Sequence, residues 1–174
     1  MSNIYSISFS SVATVAAAVE LFDVKGSTLS NFRLTSLTFG QIAAALSSSA
    51  IESLAVGVYR GSTLSSSATG LNFTTVNPVN LDSQSEATAR LTAIVNSSLT
   101  GSSGAAASLL LSQPWNTQTT FVWKPRCDKG VDERPTMALG ERLQVRLGAP
   151  AAAIIVGGTM VVEEIGRVPG FLTD

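Results

Sequence analysis

Apolar and polar residues alternate along most of this 174-residue chain, and a period of two residues predicts β-strands. In 143–147, the apolar residues Leu143, Val145 and Leu147 share one face of such a strand, and polar residues occupy the other. The same alternation predicts eight further strands, at Ile4–Phe9, Val19–Val24, Phe32–Phe39, Leu54–Arg60, Leu71–Thr75, Ser108–Leu111, Thr119–Lys124 and Gly158–Glu164.

Two segments fit a helix as well as they fit other structures. In 83–95, Ser83 and Glu86 form a capping-box pattern, but the same stretch also alternates as a strand does. We predict a strand there, because the neighbouring elements are all β. The segment 41–50 is equally consistent with a short helical turn and with a loop.

Short strands separated by Gly/Ser/Asn-rich segments, such as 61–70 and 96–106, are typical of an antiparallel sandwich or barrel. The length suits one domain, and nothing in the sequence marks a second. We therefore predict a single all-β domain. Its core is predicted to contain Trp115, Phe121, Trp123, Leu143, Val145 and Leu147.

Composition narrows the function. Charged residues make up only 13% of the chain, against a usual share of roughly 25%, so part of the surface is expected to meet other protein. The net charge of −1 predicts neither nucleic acid nor an anionic membrane as a partner. No signal-peptide pattern or long apolar run is present, which predicts synthesis in a reducing cytoplasm and no transmembrane helix.

The chain contains no histidine, which removes Ser-His-Asp and Cys-His catalysis and every His-ligated metal. Its single cysteine, Cys127, excludes an intramolecular disulfide and a multi-cysteine metal site. We therefore predict no enzymatic activity, no cofactor and no metal.

Glu163 and Glu164 stand side by side in 158-GTMVVEEIG-166, and paired carboxylates are the usual means of acid/base catalysis. Successive side chains of a strand point to opposite faces, so these two cannot converge on one substrate while the strand continues. We interpret the pair as a strand terminus or as an interface carboxylate that meets an arginine. Catalysis and cation binding are the alternatives.

The densest charged stretch is 124-KPRCDKGVDERP-135. Its carboxylates lack the spacing of a calcium loop, and the basic residues between them would neutralise them. We predict a solvated or partner-facing loop, in which Cys127 is not a nucleophile. The charged residues meant are Lys124, Arg126, Asp128, Lys129, Asp132, Glu133 and Arg134.

The Ala-rich segment 149–158 contains a continuous apolar run at 154–156. Small residues let backbones approach closely, and the run is covered either within the monomer or by another copy. We predict a homo-oligomer interface here, formed by Ala151, Ala152, Ala153, Ile154, Ile155 and Val156.

The C-terminal half resembles a group of small structural proteins of tailed-bacteriophage virions. The matching motifs are W-N at 115–116, W-x-P at 123–125, L-x-V-R-L at 143–147 and G-T-x-x-x-E-E-I-G at 158–166. Segments 19–24 and 54–62 are similar to early strands of that group, whereas 167–174 runs past the group's usual ending.

This resemblance implies an antiparallel β-sandwich of jelly-roll-like type over 1–166, with 167–174 as a C-terminal extension. It implies a capsid decoration or cement protein on the surface of the virion, made in the cytoplasm of the bacterial host. The expected partners are the major capsid protein of a phage and further copies of the chain, with a trimer expected by analogy. The charged loop, together with Phe171 and Leu172 of the extension, is the expected capsid contact.

Two other functions stay open. A carbohydrate- or host-surface-binding jelly-roll module would expose Trp115 or Trp123 as a stacking platform, whereas buried indoles favour a structural role. A coat protein that forms the shell itself is the other, although the chain lacks a basic arm for packaging nucleic acid.

Overall fold

A computed structural model of the chain describes residues 3–13, 18–26, 30–44, 52–61, 74–76, 78–81, 92–98, 108–128 and 131–167. These residues form fourteen β-strands. The strands are β1 (Ile4–Ala13), β2 (Val19–Lys25), β3 (Ser30–Ala44), β4 (Ser53–Gly61), β5 (Thr74–Val76), β6 (Val79–Asn80), β7 (Thr92–Ser98), β8 (Ser108–Asn116), β9 (Phe121–Trp123), β10 (Cys127–Asp128), β11 (Val131–Asp132), β12 (Thr136–Met137), β13 (Arg142–Leu147) and β14 (Ile154–Arg167). No helix that could cross a lipid bilayer occurs within these ranges.

The strands form two antiparallel sheets that pack face to face. Sheet 1 has the order β12-β3-β14-β1-β6, and β9 also pairs with β3. Sheet 2 has the order β5-β7-β2-β13-β4-β8. Strands β10 and β11 form a separate two-stranded hairpin, which we call the β10–β11 hairpin.

The strand order is that of a jelly roll. From the two ends of the chain inward, β1 pairs with β14 and β2 with β13. In sheet 1, β14 also pairs with β3, and β3 with β9. In sheet 2, β13 also pairs with β4, and β4 with β8. Within the two six-stranded sheets, the four-strand orders β1-β14-β3-β9 and β2-β13-β4-β8 are the arrangement of the double-sheet jelly roll. The prediction of an all-β antiparallel sandwich of this type is confirmed.

Aromatic side chains fill the space between the sheets. Phe9 of sheet 1 meets the edge of Phe22 of sheet 2, with ring centroids 5.1 Å apart. Phe39 stacks on Phe121 and meets the edge of Trp115. Gly158 lies opposite Phe39, and a Cβ on it would come within 2.6 Å of the Phe39 Cβ, so only glycine leaves room for β3 at this distance. Five of the predicted core residues are buried here, and Trp123 packs against them partly buried; the five are Trp115, Phe121, Leu143, Val145 and Leu147.

The predicted strands lie inside β1–β5, β8, β13 and β14 as far as the described residues extend, except that the strand predicted at Thr119–Lys124 is longer than β9, which begins at Phe121 and ends at Trp123. In the ambiguous segment 83–95, the described part from Thr92 is strand β7, as predicted. In 41–50, strand β3 continues to Ala44 in place of the expected turn or loop, because β14 pairs with it that far. Residues 82–91 and 45–50 lie outside the described ranges. Four two-residue strands, β6 and β10–β12, went unpredicted, since two residues carry no period.

Candidate functional site

Glu163 and Glu164 lie on opposite faces of β14, as the strand geometry requires. Glu163 lies on the outer face of sheet 1, where its Oε2 accepts hydrogen bonds from Arg33 at 2.9 Å and Arg134 at 3.3 Å. Glu164 points into the sandwich and is buried. Glu163 does meet arginine, but both arginines belong to the same chain, so its predicted place in an interface stays a prediction. The other interpretation, a strand terminus, is wrong, because β14 continues to Arg167. The two carboxylates do not share a site.

Glu164 is the centre of a polar network that ties together three segments distant in sequence. Its Oε1 accepts from the Ser30 hydroxyl at 2.6 Å, and its Oε2 accepts from Asn3 Nδ2 at 3.0 Å and from the Tyr5 hydroxyl at 3.3 Å. The backbone N–H of Glu164 also donates to the Asn3 carbonyl. A buried carboxylate needs such donors, so this network joins the start of β1, the start of β3 and the end of β14.

A cluster of alternating charge closes one end of sheet 1. Arg33 bridges Asp132 and Glu163, and Arg134 contacts the same two carboxylates. Hydrogen bonds from Arg134 hold the pKa of Asp132 well below its usual range, with Arg33 acting in the same direction. Asp132, in turn, raises the pKa of Arg134 above its usual value. Two positive and two negative groups cancel, so the cluster fastens the β10–β11 hairpin to the sheet without leaving a net charge.

The predicted capsid-contact loop is therefore divided. Asp132 and Arg134 are engaged in the cluster, whereas other charged side chains of the loop are exposed without an ion pair among the described residues; these are Lys124, Arg126, Asp128 and Glu133. Cys127 is a free, exposed cysteine. Lys129, Phe171 and Leu172 lie outside the described ranges.

The outer face of sheet 1 is lined by small hydroxyl side chains. One row across the strands runs Ser8, Thr159, Thr38 and Val122, each directly opposite the next. The Ser8 and Thr159 hydroxyls are hydrogen-bonded to each other at 3.0 Å. The row beside it places Val79, Ser6, Val161 and Ser36 opposite one another in the same way.

Exposed apolar side chains mark the margins of this face. Among the described residues, seven large hydrophobic side chains are exposed, and four of them, Ile4, Ile42, Val79 and Val122, lie here. Val79 and Val122 are 62% and 54% exposed, at opposite edges of the sheet. Neither row of this face contains a charged residue, and the cluster at one end of the face is balanced in charge. It is a surface that another protein could cover without burying an unpaired charge.

The outer face of sheet 2 is built in the opposite way. Arg142 Nη1 donates to both carboxylate oxygens of Asp23 at 2.9 Å. Arg146 donates to Gln144 at 2.8 Å and lies 3.6 Å from Glu20. Glu20, Asp23 and Gln144 have at most 1% of their surface exposed. Sequence patterning missed this face, because a polar side chain opposite the core is ordinarily predicted to be solvated.

The predicted oligomer interface is partly internal. Ile154 and Val156 are buried between the sheets, so their side chains do not face another copy; for these two, a core role replaces the predicted one. Ala151 is exposed, and Ala152, Ala153 and Ile155 are half-buried at the surface. Only these four can contribute side chains to the predicted interface.

The two indoles are not presented as a stacking platform. Trp115 is 2% exposed, and its Nε1 donates to the Thr119 carbonyl at 2.8 Å. Trp123 packs against the core and is half-buried. Because a stacking platform needs an exposed indole, the burial of Trp115 favours a structural role over glycan stacking. Across the described ranges, no three carboxylate or thiol side chains come together where a metal ion could bind.

Comparisons with known proteins do not identify a family for this chain. No protein-family model matches the sequence, and no curated protein does. Among solved structures, a mutant VP2 protein of infectious bursal disease virus, from derived T=1 particles, is 15% identical to the chain. The match covers 99% of this chain but only 42% of VP2, and its TM-score is 0.17. So low a TM-score carries no argument about fold or function.

Proposed function

We propose that this chain is a non-enzymatic structural protein of a virus particle, and that it decorates and stabilises the capsid of a tailed phage. The observation that carries the proposal is the outer face of sheet 1, a surface of small hydroxyl groups with apolar margins and balanced charge. Burying such a face costs little desolvation where hydroxyls already bond one another, as those of Ser6, Ser8 and Thr159 do.

Three further observations support the same function. The jelly-roll strand order is one that viral capsid proteins use, although lectins and cupins use it too. The C-terminal motifs resemble those of phage virion proteins. The chain has no histidine, and Asp23, Asp132, Glu163 and Glu164 are all engaged with arginine or with neutral hydrogen-bond donors.

Stabilisation would follow from mass action. A protein that binds the assembled shell, but not its separated subunits, shifts the equilibrium toward the shell in proportion to its occupancy. No chemical step is required. A flat face that covers a junction between capsid subunits is sufficient.

A coat protein that forms the shell itself is the second candidate, because the jelly-roll order is equally one that viral capsid proteins adopt. The two functions differ in what the purified chain does alone. A coat protein assembles into closed particles, whereas a decoration protein stays a small oligomer until shells are added.

The test is sedimentation of the full chain, alone and mixed with empty capsids of the phage that encodes it. Decoration predicts a small species that co-sediments with capsids, and a coat protein predicts particles without them. Thr38→Lys places a charge in the middle of the outer face of sheet 1, and we expect it to abolish co-sedimentation. Ser108→Lys, at an exposed position of β8 in sheet 2, is the matched control and should bind normally. A wild-type chain that neither assembles nor co-sediments would overturn both candidates.

A further inference from the structure

We draw no further inference here: the strongest candidate, the exposed apolar side chains of Ile4, Val79 and Leu81 at the β6 edge of sheet 1, borders the face already proposed to bind the capsid, and nothing in the structure shows what covers it.

Discussion

Polar side chains are exposed on one outer face of the sandwich and enclosed on the other. On sheet 1, hydroxyl groups such as those of Ser8 and Thr159 bond each other at a surface that also exposes Val79 and Val122. On sheet 2, charged side chains are enclosed, and Asp23 has only 1% of its surface exposed beside Arg142. The outer face of sheet 1 is therefore exposed and has hydroxyl and apolar groups at its surface, whereas the charged side chains on the outer face of sheet 2 are paired and enclosed.

This difference separates stability from binding. Removing one partner of a buried ion pair leaves an uncompensated charge, so sheet 2 should be sensitive to small changes. Substitutions among exposed hydroxyls leave the fold nearly unaffected but alter what the surface can meet. If the comparison is right, substitutions in the enclosed ion pairs of sheet 2 destabilise the fold, whereas substitutions in the hydroxyl rows of sheet 1 abolish binding by a folded protein.

The largest effect is expected from Asp23→Ala. This change removes the buried Asp23 carboxylate from Arg142, whose side chain is 17% exposed, and we expect a loss of about 3 kcal/mol in the free energy of unfolding, the lower end of the range for a buried pair. Denaturant titration measures it. The double variant Asp23→Leu with Arg142→Met should recover most of the loss, because it removes both charges. A loss below about 1 kcal/mol, the value typical of exposed pairs, would show that the pair is not enclosed.

The next effect distinguishes the adjacent glutamates. Glu164→Ala removes from inside the sandwich the carboxylate that accepts hydrogen bonds from Asn3, Tyr5 and Ser30, and should cost about 2–3 kcal/mol of unfolding free energy. Glu163→Ala, one residue earlier, removes only a partly exposed pair and should cost about 1 kcal/mol or less. Equal losses in denaturant titrations of the two variants would contradict their placement on opposite faces.

These residues also show how far the sequence alone could lead. The alternation of Leu143, Val145 and Leu147 was sufficient to predict a strand and its core face, since a period of two is a local property. The separation of Glu163 from Glu164 followed from the same geometry. The pairing of Asp23 with Arg142 could not be predicted, because it depends on the register of strands 119 residues apart. A two-residue strand such as β6 leaves no signal, so the row that joins Val79 to Ser6 was equally hidden.

A smaller effect is expected from acid at the charged end of sheet 1. Arginine contacts lower the pKa of Asp132 in the folded state below its ordinary value of 3.8. The cluster's stabilisation is therefore complete above that value and is lost as the pH falls below it, toward the folded-state pKa. Asp132→Asn should lower stability at neutral pH and remove this part of the acid dependence. Stability curves of the wild type and the variant between about pH 5 and 2 should converge, and parallel curves would contradict the pairing.

The smallest effect on folding should come from Thr38→Lys, the substitution proposed to abolish capsid binding. Thr38 lies on the outer face of sheet 1 between Thr159 and Val122, where a lysine can extend its ammonium group into water. The change in unfolding free energy should stay within about 0.5 kcal/mol, measured by the same titration as for Asp23→Ala. A folded variant that no longer binds locates the contact on this face, because only the assembled state then carries the cost of burying the new charge. A loss comparable to that of Asp23→Ala would instead mean that the face is already covered within the chain, and the contrast between the two sheets would fail.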